Sequence, residues 1–192
     1  MEKLTGPKKI KTAVFISGTG SNLKSLIKFS KIDKSPISIN LIISNTSLAK
    51  GLKYADQFKI KKRIFTYKNF KNTEKKILLL LLKEKINFIC LAGFMKILSV
   101  RFIKKFDGKI INIHPSLLPK YKGLNTHIRA INNKDKFTGC TVHYVAAKLD
   151  SGKIIKQKKI KITARDNLAS LSKKVLKQEH KLYSAAIMKI FN

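Results

Sequence analysis

The chain has 192 residues, 44% of them hydrophobic, and 42 lysines and arginines against 10 acidic residues give it a formal net charge of +32. This length supports one domain with a full hydrophobic core, and the apolar content excludes a disordered chain. The apolar segment at residues 77–82 is far too short to cross a membrane, and the apolar run after the basic N-terminus is too short for a signal peptide. We therefore expect a soluble, cytoplasmic protein.

The high positive charge by itself would suggest a nucleic acid or an anionic membrane as partner. The lysines are spread over almost every predicted helix and loop, and only four basic residues are arginine, the side chain that contacts phosphates and bases in bidentate fashion. A compositional drift toward Lys, Ile and Asn explains the charge more simply, so we expect neither nucleic acid nor membrane as partner. The cysteines, Cys90 and Cys140, lie in apolar runs and are expected to be buried, reduced thiols.

Short β-branched runs predict strands, and apolar residues at helical spacing predict helices, in alternating order. After a basic lead-in at 1–11, the predicted elements are a strand at 12–16, a helix at 23–29, a strand at 37–43, a helix at 48–58, a short strand at 63–67, a helix at 73–85, and strands at 86–92 and 110–114. This alternation predicts an α/β fold with a mostly parallel sheet and helices on both faces.

The pattern changes after Thr126, which could cap a short helix. Two longer strands at 140–147 and 154–162 predict an antiparallel pair at one side of the sheet, and a helix at 167–190 follows. We expect residues 12–192 to form a single domain.

A glycine-rich turn joins the first strand to the first helix, an arrangement that suits an anion. Gly18 and Gly20 match the start of a dinucleotide-binding fingerprint, but Leu23 stands at the third glycine position. The turn therefore favours a single phosphate monoester, held by Gly20, Ser21 and Asn22. A tight turn with Ser21 as the helix N-cap is the structural alternative.

The run at 110–119 reads IINIHPSLLP. Side chains alternate along a strand, so Asn112 and His114 share a face at the carboxyl end of the predicted strand, which Pro115 ends. Ligands of open α/β sheets bind at that end. An amide donor beside an imidazole suits an oxyanion and its proton, although a polar pair that braces a loop fits the spacing equally well.

Five segments, in this order and spacing, resemble the folate-dependent formyltransferases, and among them the glycinamide ribonucleotide formyltransferases. They are SGTGSNL at 17–23, LAGFMKIL at 91–98, NIHPSLLPKY at 112–121, LDSG at 149–152 and QEH at 178–180. The resemblance implies a Rossmann-like formyltransferase domain. It also implies transfer of the formyl group of 10-formyltetrahydrofolate, a co-substrate, to the primary amine of 5-phosphoribosylglycinamide in de novo purine biosynthesis, without a metal.

The resemblance also assigns catalytic roles. Asn112 would donate to the oxyanion that forms when the amine attacks the formyl carbon. His114 would stabilise that oxyanion and transfer a proton, and Asp150 would orient His114 and favour its protonated form. A turn-forming Asp-Ser-Gly is the alternative for Asp150.

In the binding sites that the resemblance implies, Gly20, Ser21 and Asn22 would hold the substrate phosphate. Glu179, which lies within the apolar stripe of the last helix, would bind the ribose hydroxyls, although an exposed edge position is nearly as consistent with the pattern. The folate pocket would be lined by Met95, Lys96, Ile97, Leu98, Val145, Ala146, Ala147, Lys148 and Leu149.

Other positions carry less information about function. His143 and His180 are expected to be structural histidines, and His127 matches a family histidine but could belong to a capped helix start. Lys96 replaces a usual arginine and Lys122 a usual proline of the family, so one folate contact and one loop are expected to differ. We expect a monomer or a homodimer.

Alternatives of two classes remain at this point. The enzymatic alternatives are formyltransferases that act on aminoacyl-tRNA or on sugar amines, and deformylases that release formate. The aminoacyl-tRNA enzymes and the deformylases normally carry a further domain. A basic nucleic-acid-binding module is the alternative from the other class, but it would need aromatic residues interleaved in one positive face, whereas here they are dispersed.

Overall fold

A computed structural model describes residues 9–67 and 69–191, in which one mixed sheet is surrounded by helices. The elements are β1 (Ile10–Ile16), α1 (Ser21–Ser30), β2 (Ile37–Ser44), a 3₁₀ turn (Lys50–Leu52), α2 (Lys53–Gln57), β3 (Lys61–Ile64), α3 (Phe70–Lys83), β4 (Phe88–Leu91), α4 (Val100–Lys105), β5 (Lys109–His114), α5 (Thr126–Asn132), β6 (Phe137–Tyr144), β7 (Ile154–Lys161) and α6 (Leu168–Phe191). Most of the predicted lead-in, residues 1–8, lies outside the described residues.

The strand order of the sheet is β3-β2-β1-β4-β5-β6-β7. The strands from β3 to β5 pair in parallel, whereas β6 runs antiparallel to β5 and β7 antiparallel to β6. The predicted fold class, with its antiparallel pair toward the C-terminus, is confirmed. The order reverses between β1 and β4, and ligands of such sheets bind at that point, beyond the carboxyl ends of the strands.

The central strand β1 is buried on both faces because helices cover both. Val14 and Ile16 pack into the core that includes α1 and α6, while Ala13 and Phe15 pack into the core that includes α3 and α4. This alternation follows from the two-residue period of a strand. Both cysteines are free and buried, in agreement with the prediction.

Several boundaries differ from the predicted ones. The helix α4 was not predicted at all, since it has only six residues; it begins after Ser99, whose hydroxyl accepts the Phe102 N–H. The predicted helix at 48–58 is a 3₁₀ turn followed by a five-residue helix, and β3 ends at Ile64 rather than at 67. The expected cap of α5 at Thr126 is wrong: Asn125 is the N-cap, in the left-handed conformation that asparagine tolerates.

Within residues 9–67 and 69–191, no helix combines the length and the apolar character needed to cross a membrane.

Candidate active site

The carboxyl ends of the parallel strands open into a cavity of about 910 Å³. Its walls bring together Asn22, Asn112, His114, Asp150 and Glu179, which come from α1, β5, the β6–β7 turn and α6. Only Asn112 and His114 are near neighbours in sequence. The cavity therefore brings the predicted catalytic residues together with Asn22 and Glu179, two of the residues predicted to bind the phosphoribosyl substrate.

Each ring nitrogen of His114 faces an oxygen atom. Its Nε2–H donates to the backbone carbonyl of Tyr121 at 2.8 Å, and its Nδ1 lies 3.3 Å from Asp150 Oδ2. The same carboxylate oxygen accepts the Gly123 N–H at 2.8 Å. Because Nε2 is engaged by a backbone carbonyl, Nδ1 is the nitrogen at which a proton can be gained or lost, and there Asp150 faces it.

The electrostatics of this pair differ from the expectation in one respect. Burial lowers the pKa of His114, and the Tyr121 carbonyl and the charge of Asp150, which both raise it, do not compensate fully. The predicted direction of the Asp150 effect is right, but burial is the larger cause. Burial raises the pKa of Asp150, but this is outweighed by its contacts with His143 and the Gly123 N–H and by the charge of His114, so the net pKa is lowered. Asp150 is therefore an anion at neutral pH.

His143 is a site residue that the sequence analysis assigned to a structural role. It lies directly across from Asn112 in the β5–β6 pairing, and it lines the cavity. Its Nδ1–H donates to the Tyr144 carbonyl at 2.9 Å, so its Nε2 accepts the Asn112 amide at 3.3 Å. The same nitrogen lies 3.6 Å from Asp150 Oδ1. His143 thus fixes which way the Asn112 amide points, and one N–H of that amide remains for a ligand.

The loop after β5 positions the Tyr121 carbonyl that His114 needs. Tyr121 has a left-handed φ of 57°, and its hydroxyl donates to Asp135 at 2.8 Å and accepts from Asn133 at 2.7 Å. At the start of this loop, Ser116 donates to the Lys120 carbonyl at 2.6 Å. No sequence signal connected Tyr121 to His114.

The glycine turn leaves backbone N–H groups free at the start of α1. Gly20, with φ of 76°, is the N-cap of α1, and no side chain caps the helix, so the alternative with Ser21 as N-cap is wrong. The N–H groups of the first helical turn have no partner within the helix. A Cβ on Gly20 would lie 2.5 Å from the Cα of Gly51, which shows that the glycine turn packs against the 3₁₀ turn Lys50–Leu52 at a distance that only glycines allow.

Two contacts join this turn to α6. The Asn22 amide donates to Glu179 Oε2 at 2.7 Å, and Ser21 Oγ lies 2.6 Å from His180 Nε2. Asn22 Oδ1 is buried without a partner among the described residues. Burial raises the pKa of Glu179, although the Asn22 hydrogen bond opposes this. Gly20 and Ser21 do not line the cavity, which ends at Asn22.

The predicted folate-binding segments form one side of the cavity. The cavity is lined there by Met95, Lys96, Ile97, Leu98, Val145, Ala146, Lys148 and Leu149, but not by Ala147. Met95 is 64% exposed, Ile97 62% and Leu149 50%. Apolar side chains that stay exposed around a cavity indicate a site for an apolar ligand.

Two further features of the described part of the chain concern metal ions and buried polar atoms without a partner. This part contains no group of three or more His, Cys, Asp or Glu side chains that could hold a metal ion. His127, which lines the cavity, has a buried Nδ1 without a partner there, and burial lowers the pKa of this histidine.

Comparisons with known proteins agree with the geometry. A sequence profile described as "Formyl transferase" matches residues 10–187. A phosphoribosylglycinamide formyltransferase of Haemophilus influenzae is 42% identical over 180 residues, which are 92% of this chain and 85% of that protein. The human trifunctional purine biosynthetic protein adenosine-3 is 44% identical over 183 residues, or 94% of this chain, but the chain spans only 18% of that protein's length.

The solved structures give the same result. The crystal structure of phosphoribosylglycinamide formyltransferase from Brucella melitensis superposes with a TM-score of 0.90 at 39% identity and covers 95% of this chain and 96% of that one. The family assignment made from the sequence motifs is confirmed. The chain is an enzyme of the formyl transferase family and belongs among its phosphoribosylglycinamide formyltransferases.

Proposed function

We propose that this chain transfers the formyl group of 10-formyltetrahydrofolate to the primary amine of 5-phosphoribosylglycinamide, giving formylglycinamide ribonucleotide and tetrahydrofolate in de novo purine biosynthesis. One observation carries the proposal. A single cavity extends from Asn22 and Glu179, past Asn112, His114 and Asp150, to an apolar opening. Both substrates can therefore meet at the three polar side chains in its middle.

The phosphoribosyl half of the substrate fits the end of the cavity at α1. We assign its phosphate to Gly20, Ser21 and Asn22, because free N–H groups and the helix dipole at this N-terminus attract an anion. Asn22 Oδ1 and the Glu179 carboxylate can accept hydrogen bonds from the ribose hydroxyls. These hydroxyls would give the buried, unpartnered Oδ1 a donor and Glu179 a second polar contact.

The folate fits the other end. The exposed apolar side chains at residues 95–98 and 145–149 suit a flat, largely apolar ring system. When bound, 10-formyltetrahydrofolate supplies the formyl group: a C–N bond forms to the substrate amine, the C–N bond to the folate nitrogen breaks, and that nitrogen takes a proton.

The residues in the middle of the cavity stabilise charge and move the proton. The free N–H of Asn112 donates to the formyl oxygen as negative charge develops on it. At its Nδ1, His114 accepts the proton that the attacking amine loses, and the Asp150 carboxylate stabilises the imidazolium that results. His114 then returns this proton to the leaving nitrogen. The lowered pKa of His114 suits this role, because the neutral ring is present before the reaction.

The test is an activity assay with both substrates present. Purified protein is mixed with 5-phosphoribosylglycinamide and 10-formyltetrahydrofolate, and formation of tetrahydrofolate is followed by absorbance. His114→Ala should lower turnover by roughly two to four powers of ten, the usual contribution of general acid–base catalysis. Absence of turnover in the folded wild-type protein would refute the proposal, and near-normal turnover of the variant would remove His114 from the mechanism.

Three finer points belong to this proposal as well. We propose that no metal takes part, that the enzyme works in the cytoplasm, and that it is a monomer or a homodimer. The free, buried thiols of Cys90 and Cys140 are consistent with a reducing compartment.

A further inference from the structure

His180 has no role in the reaction described above, yet it contacts the turn to which we assign the substrate phosphate. It lies on α6 directly after Glu179, and its Nε2 is 2.6 Å from Ser21 Oγ. Neighbouring residues of α6 thus pair with neighbouring residues of α1: Glu179 with Asn22, and His180 with Ser21.

The direction of the Ser21–His180 hydrogen bond decides what Ser21 can do. A serine hydroxyl has one hydrogen and two acceptor lone pairs. If that hydrogen points at the imidazole, Ser21 offers a bound phosphate only lone pairs, which repel its oxygens. If His180 Nε2 carries the hydrogen and donates, the Ser21 hydrogen is free to point at the phosphate.

An anion at the turn selects the second arrangement. A phosphate near Ser21 attracts the hydroxyl hydrogen, and the imidazole then has to present its own N–H to Ser21 Oγ. Burial lowers the pKa of His180, so the ring is neutral without the anion and can hold its single hydrogen on either nitrogen.

We propose that His180 is a positioning residue of the phosphate subsite: its Nε2–H donates to Ser21 Oγ, so that the Ser21 hydroxyl donates to the phosphate of the substrate. This inference rests on the proposed function, because it takes the phosphate from that assignment. It predicts that His180 affects binding of the phosphorylated substrate and leaves the chemical step unchanged.

The experiment compares His180→Leu, which removes the donor, with His180→Gln, whose side-chain amide can still donate to Ser21. For His180→Leu we expect the KM for 5-phosphoribosylglycinamide to rise on the order of three- to tenfold, the effect of one neutral hydrogen bond, with kcat within about twofold of wild type. For His180→Gln most of the increase should be absent. Ser25→Ala is the matched control, since Ser25 Oγ donates to the His180 carbonyl at 3.5 Å and joins the same two helices away from the phosphate turn.

Two readouts separate positioning from a merely structural contact. With the dephosphorylated ribonucleoside as substrate, the KM of His180→Leu should equal that of wild type. In a double-mutant cycle with Ser21→Ala, the double variant should be no worse than Ser21→Ala alone, because His180 acts through Ser21.

The inference is overturned if the KM of His180→Leu is unchanged, if it rises equally for both substrates, or if the effects of the two substitutions multiply. Should His180→Leu fail to fold, His180→Gln and Ser21→Ala are measured with the two substrates instead. If Ser21→Ala raises the KM relative to wild type by the same factor for the phosphorylated and the dephosphorylated substrate, the inference is contradicted. A wild-type protein without formyl transfer refutes the proposed function, whereas an active wild type with an unaffected His180→Leu variant refutes only the role of His180.

Discussion

Replacing Asp150 with asparagine removes one negative charge from the centre of the cavity and leaves the shape nearly unchanged. The side chains of His114 and Asp150 are only 7% and 6% exposed, and their closest atoms are 3.3 Å apart. The asparagine oxygen can keep the hydrogen bond from the Gly123 N–H, so the turn should retain its conformation. The substitution therefore isolates the electrostatic effect of Asp150 on the His114 imidazolium.

The magnitude follows from this distance. Two unit charges about 4 Å apart attract by about 4 kcal/mol at an effective dielectric constant near 20. Since about 1.4 kcal/mol corresponds to a factor of ten in protonation, loss of the charge can lower the protonated fraction of His114 by up to about three powers of ten. We expect kcat of Asp150→Asn at neutral pH to fall on the order of 10²- to 10³-fold, with both KM values changed little.

The substitution should also shift the pH dependence of kcat, and the direction of this shift follows from the His114 pKa. Asp150 raises the pKa of His114, and burial lowers it, so the variant has a still lower His114 pKa. The protonated ring should then form only in more acidic solution, and the pH–kcat profile of the variant should shift toward lower pH. The measurement is a kcat profile with both substrates saturating, and Asp56→Asn is the control, because it removes a carboxylate that is exposed and pairs with Lys62.

A variant with turnover within about threefold of wild type and an unshifted profile would refute the electrostatic role of Asp150. Equal losses in Asp150→Asn and Asp56→Asn would point to a general effect of net charge.

Two further predictions test the other parts of the site. Asn112→Ala should lower kcat by about 10²–10³-fold, as loss of an oxyanion donor does, and steady-state kinetics that show a change in KM alone would contradict this role. Gly20→Ala should lower the free energy of unfolding by about 2 kcal/mol or more, because a positive φ is strained for alanine and the added Cβ would lie 2.5 Å from Gly51 Cα. Urea titration measures this, and Gly18→Ala, whose Cβ would meet nothing within 4 Å, should be nearly neutral; equal effects of the two substitutions would disprove the close-packing argument.

The glycine turn between β1 and α1 shows how much a local sequence pattern can predict. The glycine pattern located the start of a helix, since Ser21 and Asn22 begin α1, and its anion-binding role stays a prediction. The partners of that turn could not be predicted, since Glu179 and His180 lie 157 and 159 residues away along the chain. They meet it because α6 packs back against α1, and nothing in the turn's own sequence specifies that contact.

The sequence by itself determined the alternation of elements, the parallel sheet with its antiparallel pair, and the strand end that carries Asn112 and His114. These features depend on side-chain periodicity and on turn residues, which act over a few positions. The tertiary structure alone decided that His143 lies opposite Asn112, that the Tyr121 carbonyl fixes the tautomer of His114, and that burial outweighs Asp150 in setting its pKa. Strand register and burial depend on contacts between distant segments, and the amino-acid order of any one segment does not contain them.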